Sequence, residues 1–180
     1  MFWSFRERIG NGQVNKALQG AVAGGFLPLA QMKSLLIILD PETLKGLDQK
    51  KLLKVIHQEN AQTTVHFLCF DKTFKPTKTE NGLQFDPQII SPKEVGTWLK
   101  PKADKIPKVD VFVDLTESFS IPMAYSRLMC QAKFHCGREQ DWNKEYLDLM
   151  IGLKEGEGPV EWVKHWIHYM KLINNNNHAA

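Results

Sequence analysis

Three apolar runs that each close on an aspartate constrain this chain more than any other feature. Leu35-Leu36-Ile37-Ile38-Leu39 is followed by Asp40, Val65-His66-Phe67-Leu68-Cys69-Phe70 by Asp71, and Val111-Phe112-Val113 by Asp114. Short apolar runs bounded by turn residues read as buried strands. If the strands lie parallel, the three carboxylates fall on one edge of one sheet, the edge where open α/β sheets take ligands. The competing explanation is structural, because aspartate after a strand also caps the next helix.

The residues between the runs support the parallel arrangement. Asp40-Pro41-Glu42 is a strong helix start: a capping carboxylate, proline in the first turn, and an acid that suits the helix dipole. A helix over about 41–58 would place Leu44, Leu47, Leu52, Val55 and Ile56 near one face. Strand, helix and strand then make a β–α–β unit over about 35–71 with a crossover expected to be right-handed. After Asp114, Ser120 and Pro122 open a helix running to about Gln131, with Ala124, Tyr125, Leu128 and Met129 toward the sheet. Ala132–Cys136 and Tyr146–Ile151 read as shorter strands. In the last helix, about 160–173, Val163, Trp166, Ile167 and Met170 form the apolar stripe and Lys164, His168 and Lys171 face outward. The expected fold is α/β, a three-layer sandwich with a mostly parallel, Rossmann-like sheet and room for an antiparallel edge where the closing strands pair.

The expected organisation is an N-terminal helical segment over 1–25, one α/β domain over 26–173, and a polar, frayed tail over 174–180. Within the domain, residues 72–108 form a lysine-rich insert with eight lysines against four acids. Asn81-Gly82 is a hairpin signal, and Ser91-Pro92-Lys93-Glu94 is a second helix start. The insert concentrates a net charge of only +3 for the whole chain. It has no arginine, and its aromatics are not interleaved with the lysines, so a nucleic-acid partner is not expected.

Cys69, Cys130 and Cys136 form no CxxC pair, which fits a reducing, cytoplasmic setting. No signal peptide is visible, because Arg6, Glu7 and Arg8 interrupt the aromatics Phe2, Trp3 and Phe5. No apolar stretch is long enough to cross a membrane.

The block Val109–Leu115, then Ala132-Lys133-Phe134-His135-Cys136-Gly137, then Asp148-Leu149-Met150-Ile151 carries a resemblance. It resembles a family of small bacterial proteins of unknown function that share a basic N-terminal helix, an AKFxxG turn and a DLMI strand. The resemblance implies no catalytic residues. Locally, Asp110 to Gly137 is similar to the N-terminal Rossmann-like domain of heptosyltransferase-type glycosyltransferases. This chain lacks their glycine after the strand, so the likeness implies architecture and not chemistry.

The candidate ligand-binding residues are Asp114, Thr116, Ser118, Asp71 and Asp40. Carboxylates on one edge suit a hard cation, yet the acid pair and later lysine of a phosphoacceptor site are missing. The hydroxyl-rich stretch 116–120 opens a helix but has no glycines to close on a phosphate, and the chain contains no GxGxxG or GxxxxGK[ST]. Cys130, His135 and Cys136 lack a fourth ligand at zinc spacing, and adjacent strand residues point to opposite faces. His165 and His168 have no carboxylate frame between them. No metal, cofactor or catalytic set is therefore assigned. Because no catalytic constellation is complete, the expected function is a non-catalytic interaction module, working through the aromatic, basic residues 2–9 or the lysine-rich insert, with self-association as one outcome; the alternative is binding, and with it a possible enzymatic role, of a small molecule, nucleotide or sugar phosphate near Asp114.

Overall fold

The computed structural model describes residues 25–70, 88–90, 106–119, 124, 126–127, 130–144 and 146–177. A six-stranded sheet forms the middle layer: β1 (Ser34–Leu39), β2 (Thr64–Phe70), β3 (Gln88–Ile90), β4 (Val111–Asp114), β5 (Phe134–Arg138) and β6 (Leu149–Ile151). The spatial order is β3-β2-β1-β4-β5-β6. Every neighbouring pair is parallel, so the antiparallel edge allowed by the sequence does not form. The reason lies in the connection to β6. Asp148 N–H donates to the carbonyl of His135, near the start of β5, at 2.7 Å, so the chain is back at the amino edge when β6 begins and β6 must run in the same direction. This order is that of the doubly wound nucleotide-binding folds, with its reversal between β1 and β4.

β1 is buried along Leu35–Leu39 because both of its faces are covered. Leu35, Ile37 and Leu39 belong to one core with Leu52, Ile56, Val113, Trp162, Val163, Trp166 and Met170. Leu36 and Ile38 belong to a second core with Leu68, Ile106, Phe112 and Cys130 on the opposite face. An apolar run without alternation is what two covered faces require.

The helix expected over 41–58 is two helices, α1 (Pro41–Lys45) and α2 (Gln49–Glu59). Gly46 ends the first, and Asp48 starts the second by accepting from Lys51 N–H at 3.0 Å. α2 buries Leu52 and Ile56 against the first core, together with α3 (Pro159–Asn177). α3 buries Val160, Trp162, Val163, Trp166, Ile167 and Met170 and leaves Lys164, His168 and Lys171 exposed. It runs through Asn174–Asn177, which the sequence reading left as a frayed tail. On the second face Ala124, Ser126 and Arg127 are helical, and all three are buried.

Two strands start later than expected, and one strand is additional. β5 starts two residues later than the Ala132 boundary, because Lys133 is held at the amino edge by Asp110. β6 starts at Leu149 and not Tyr146: Tyr146 N–H donates to Asn143 carbonyl in a turn, and Asp148 turns its carboxylate onto His135 N–H at 2.7 Å. β3 was not expected at all, and it lies inside the lysine-rich insert. The hairpin at Asn81-Gly82, the helix from Ser91, the N-terminal helix and Asp71 lie outside the described residues. Among the described residues, no helix is long and apolar enough to cross a membrane.

Candidate functional site: the carboxyl edge between β1 and β4

The parallel pairing of β1 with β4 sets Ile38 beside Asp114, so the chain leaves both strands at the same edge. Asp40 follows β1 and caps α1. Its Oδ1 accepts from Thr43 N–H at 2.8 Å, the helix-start role the sequence offered as the competing explanation. Its Oδ2 accepts from Glu117 N–H, also at 2.8 Å. One carboxylate therefore starts a helix and ties the segment after β4 to the end of β1. With both oxygens engaged by backbone amides, Asp40 shapes the edge more than it presents a free ligand group.

Asp114 is different. It closes β4 on the face that carries Phe112, and it is only 5% exposed. Its Oδ1 accepts from both the N–H and the hydroxyl of Thr116, at 3.0 and 2.7 Å. Thr116 is itself buried, at 1% exposure. Among the described residues no hydrogen bond reaches Oδ2. Burial pushes the carboxyl up to about 6, against the pull of the Thr116 hydrogen bonds and the Arg127 charge; Asp40 adds a further upward push. A carboxyl poised near neutrality can accept a hydrogen bond when charged and donate one when protonated. Ser118 is exposed, unlike this buried pair. The edge thus brings Asp40, Asp114 and Thr116 together.

Glycine is required beside it. A Cβ on Gly137 would lie 2.5 Å from the Asp114 carbonyl oxygen and 2.9 Å from Leu147 Cδ1. β5 can sit against the end of β4 only because residue 137 has no side chain.

The sequence did not single out the cluster behind this edge. Arg127 is 8% exposed, and its guanidinium lies over the Tyr146 ring at 5.5 Å. Burial lowers its pKa to about 10, while Asp148 and Asp114 act in the opposite direction. His135 stands beside Phe112 at 5.6 Å, and its Nδ1 is 3.6 Å from Asp148. Burial, reinforced by the Arg127 charge, lowers its pKa, so the imidazole is neutral at pH 7. One sequence signal was available for Arg127: it lies at i+3 from Ala124 and next to Leu128, on the stripe expected to face the sheet.

His135 and Cys136 do face opposite ways. Cys136 is in the first core, and its thiol donates toward Phe112 carbonyl at 3.7 Å. Cys130 donates toward Pro107 carbonyl from the second core. His165 sits against Glu157 on α3, and His168 is exposed beside Tyr169. An open cleft of about 380 Å³ lies at the carboxyl ends of β5 and β6, lined by Arg138, Glu139, Gln140, Asp141 and Lys144 among others. Its charges are largely paired, Arg138 with Glu117 at 2.7 Å and Lys144 with Asp141 at 2.8 Å.

A family model described as a family of unknown function (DUF6913) matches residues 6–173. The chain belongs to this family. No curated protein and no solved structure gives a match. The two sequence blocks that carried the resemblance to a family of unknown function now have physical reasons in this DUF6913 chain. In the first, Lys133 bonds Asp110 at 2.9 Å, and Asp110 also accepts from the Lys33 and Ser34 amides, which clamps β1, β4 and β5 at their amino ends. Its Gly137 makes room for the Asp114 backbone. In the second, Asp148 joins β6 to β5 through His135 N–H.

Proposed function

We propose that this chain binds a small hydroxyl-bearing ligand at the carboxyl edge of the sheet, in the crevice between β1 and β4. One observation carries the reading: the strand order reverses between β1 and β4, and the buried carboxyl of Asp114, whose Oδ2 has no hydrogen bond among the described residues, stands at that reversal. Doubly wound sheets take ligands at this point because the flanking loops diverge there and leave a crevice. Thr116 holds Oδ1, so Oδ2 is the oxygen offered to a hydroxyl or amide of the ligand. Asp40 supports the rim through Glu117 N–H. The proposal is one of binding and assigns no catalytic residue. Nucleotides and sugar phosphates are the ligand classes that suit a crevice of this type.

Cys69, Cys130 and Cys136 are buried thiols outside any disulfide, which supports a reducing compartment, cytoplasmic in the simplest case. The interaction surface expected at residues 2–9 lies outside the described residues, as does most of the lysine-rich insert.

A thermal-shift screen with nucleosides, nucleotides, sugars, sugar phosphates and divalent cations tests the proposal. A native-state ligand raises the apparent melting temperature in proportion to the logarithm of its concentration above Kd. The expected result is saturable stabilisation by at least one class, weakened tenfold or more in Asp114→Asn and in Thr116→Val. Silence across the panel, or equal binding by both variants, would remove the carboxyl edge as the site.

A further inference from the structure

The helical segment after β4 carries a positive charge on its buried side. Ala124 and Arg127 are one turn apart there, and both are buried. Arg127 Nε is shut away from solvent and has no hydrogen-bond partner. Among the described residues no ion pair reaches its guanidinium, which lies over the Tyr146 ring at 5.5 Å. Asp148 is near enough to act on its charge, and its Oδ2 accepts from His135 N–H at 2.7 Å. Asp114 is within electrostatic reach too, with Oδ1 taken by Thr116.

A guanidinium offers five N–H donors in a planar fork. Burying its Nε–H without a hydrogen bond is costly, and buried charges are ordinarily paired. The Tyr146 ring supplies a cation–π contact to one face but no acceptor for the donors at the rim. The fork geometry matches two oxygens of one phosphate or carboxylate, which a lysine ammonium would not match. The neighbouring imidazole, His135, is neutral and cannot take that role at pH 7.

We infer that Arg127 receives an oxyanion group of the ligand bound at the carboxyl edge, with Asp114 and Thr116 holding a hydroxyl of the same molecule. This rests on the reading of that edge as the binding crevice. It narrows the ligand class to small molecules that carry a phosphate or carboxylate a few bonds from a hydroxyl, as sugar phosphates and nucleotides do. Neutral sugars and free nucleosides would use only half of the site.

The test uses the full chain at pH 7 and fixed ionic strength, with potassium phosphate and potassium acetate titrated against chloride. The expected result is a saturable rise in melting temperature with phosphate, acetate or both. The anion that acts identifies the group. Arg127→Met should weaken that response at least tenfold, Arg127→Lys should retain part of it, and Arg138→Gln should leave it unchanged. No saturable response in the wild type overturns the inference, as does an equal response in Arg127→Met. A response lost in Arg138→Gln and kept in Arg127→Met also overturns it, and moves the anion to the open cleft beside Lys144.

Should Arg127→Met fail to fold, the wild type suffices. The Arg127 Nε–H resonance, assigned through its proximity to the Tyr146 ring, should move with phosphate or acetate, and an unmoved resonance overturns the inference. The two readings fail separately. A neutral sugar or nucleoside that protects the wild type but not Asp114→Asn, with no response to either anion, removes the anion subsite and keeps the crevice. An Arg127-dependent anion response with no ligand sensitive to Asp114→Asn removes the hydroxyl subsite at Asp114, and with it the combined site inferred here.

Discussion

Replacing Asp114 by asparagine should make the protein more stable at neutral pH, and by an amount that depends on pH in a defined direction. Burial raises the folded-state pKa of this carboxyl from 3.8 to about 6. A carboxyl raised in the native state contributes its full stability below the unfolded pKa and loses it as pH rises through the folded value. Ionised Asp114 therefore costs nothing at about pH 3 and its full amount above about pH 7. A shift of about two units corresponds to about 3 kcal/mol. The amide of asparagine can still accept from Thr116 through Oδ1, the bonding that Asp114 makes at 2.7 and 3.0 Å. The variant keeps those contacts and removes the buried charge. Its advantage should grow from near zero at about pH 3.5 to about 3 kcal/mol at about pH 7.5, since the attraction to Arg127 is already contained in the folded-state value. Urea unfolding, followed by fluorescence of the buried Trp162 and Trp166, measures it if the slope against urea is unchanged. A gain that does not vary with pH would refute the reasoning. So would a variant less stable than the wild type at about pH 7.5. An aspartate kept where asparagine is more stable is the mark of a residue retained for something other than folding.

Four further outcomes follow from the geometry. Gly137→Ala should cost about 3 kcal/mol or prevent folding, because its Cβ meets backbone at 2.5 Å; a melt by circular dichroism decides it, and a stability within a few tenths of wild type would show that β5 can move. Asp40→Ala should cost about 1–2 kcal/mol through the lost cap of α1, while Asp40→Asn should cost much less; equal losses in the two variants would mean that charge and not capping matters there. Leu52→Ala, at a fully buried position of α2, should cost about 2–5 kcal/mol in urea unfolding, and a loss below about 1 kcal/mol would contradict the packing of α2 on the sheet. Cys69, Cys130 and Cys136 are all buried, and burial pushes the Cys130 thiol up to about 12 and Cys136 well above its ordinary value, so a disulfide thiol reagent should label none of them in the native protein at pH 8 and all three in urea; rapid native labelling would show a thiol exposed.

The sequence by itself determined the layers and the direction of the main strands. Apolar runs buried on both faces need helices above and below, and Asp40-Pro41 or the Trp162–Met170 stripe supply them by local chemistry alone. The cap at Asp40 was legible for the same reason: its donor is three residues away. What lies far apart in the chain was not legible. The strand order and the parallel edge at β6 depend on contacts such as Asp148 N–H on the His135 carbonyl, which local propensity does not fix. The break between α1 and α2 turned on whether Asp48 would cap a second helix, a choice made by packing Leu52 and Ile56 on the sheet. The site divides in the same way. Asp114 and Thr116 could be named because they are neighbours in sequence. Only the tertiary structure brought Arg127 under Tyr146, Asp148 against His135 and Gly137 onto the Asp114 backbone. Charge and burial act through space, and a linear reading has no measure of either until the strands are in order.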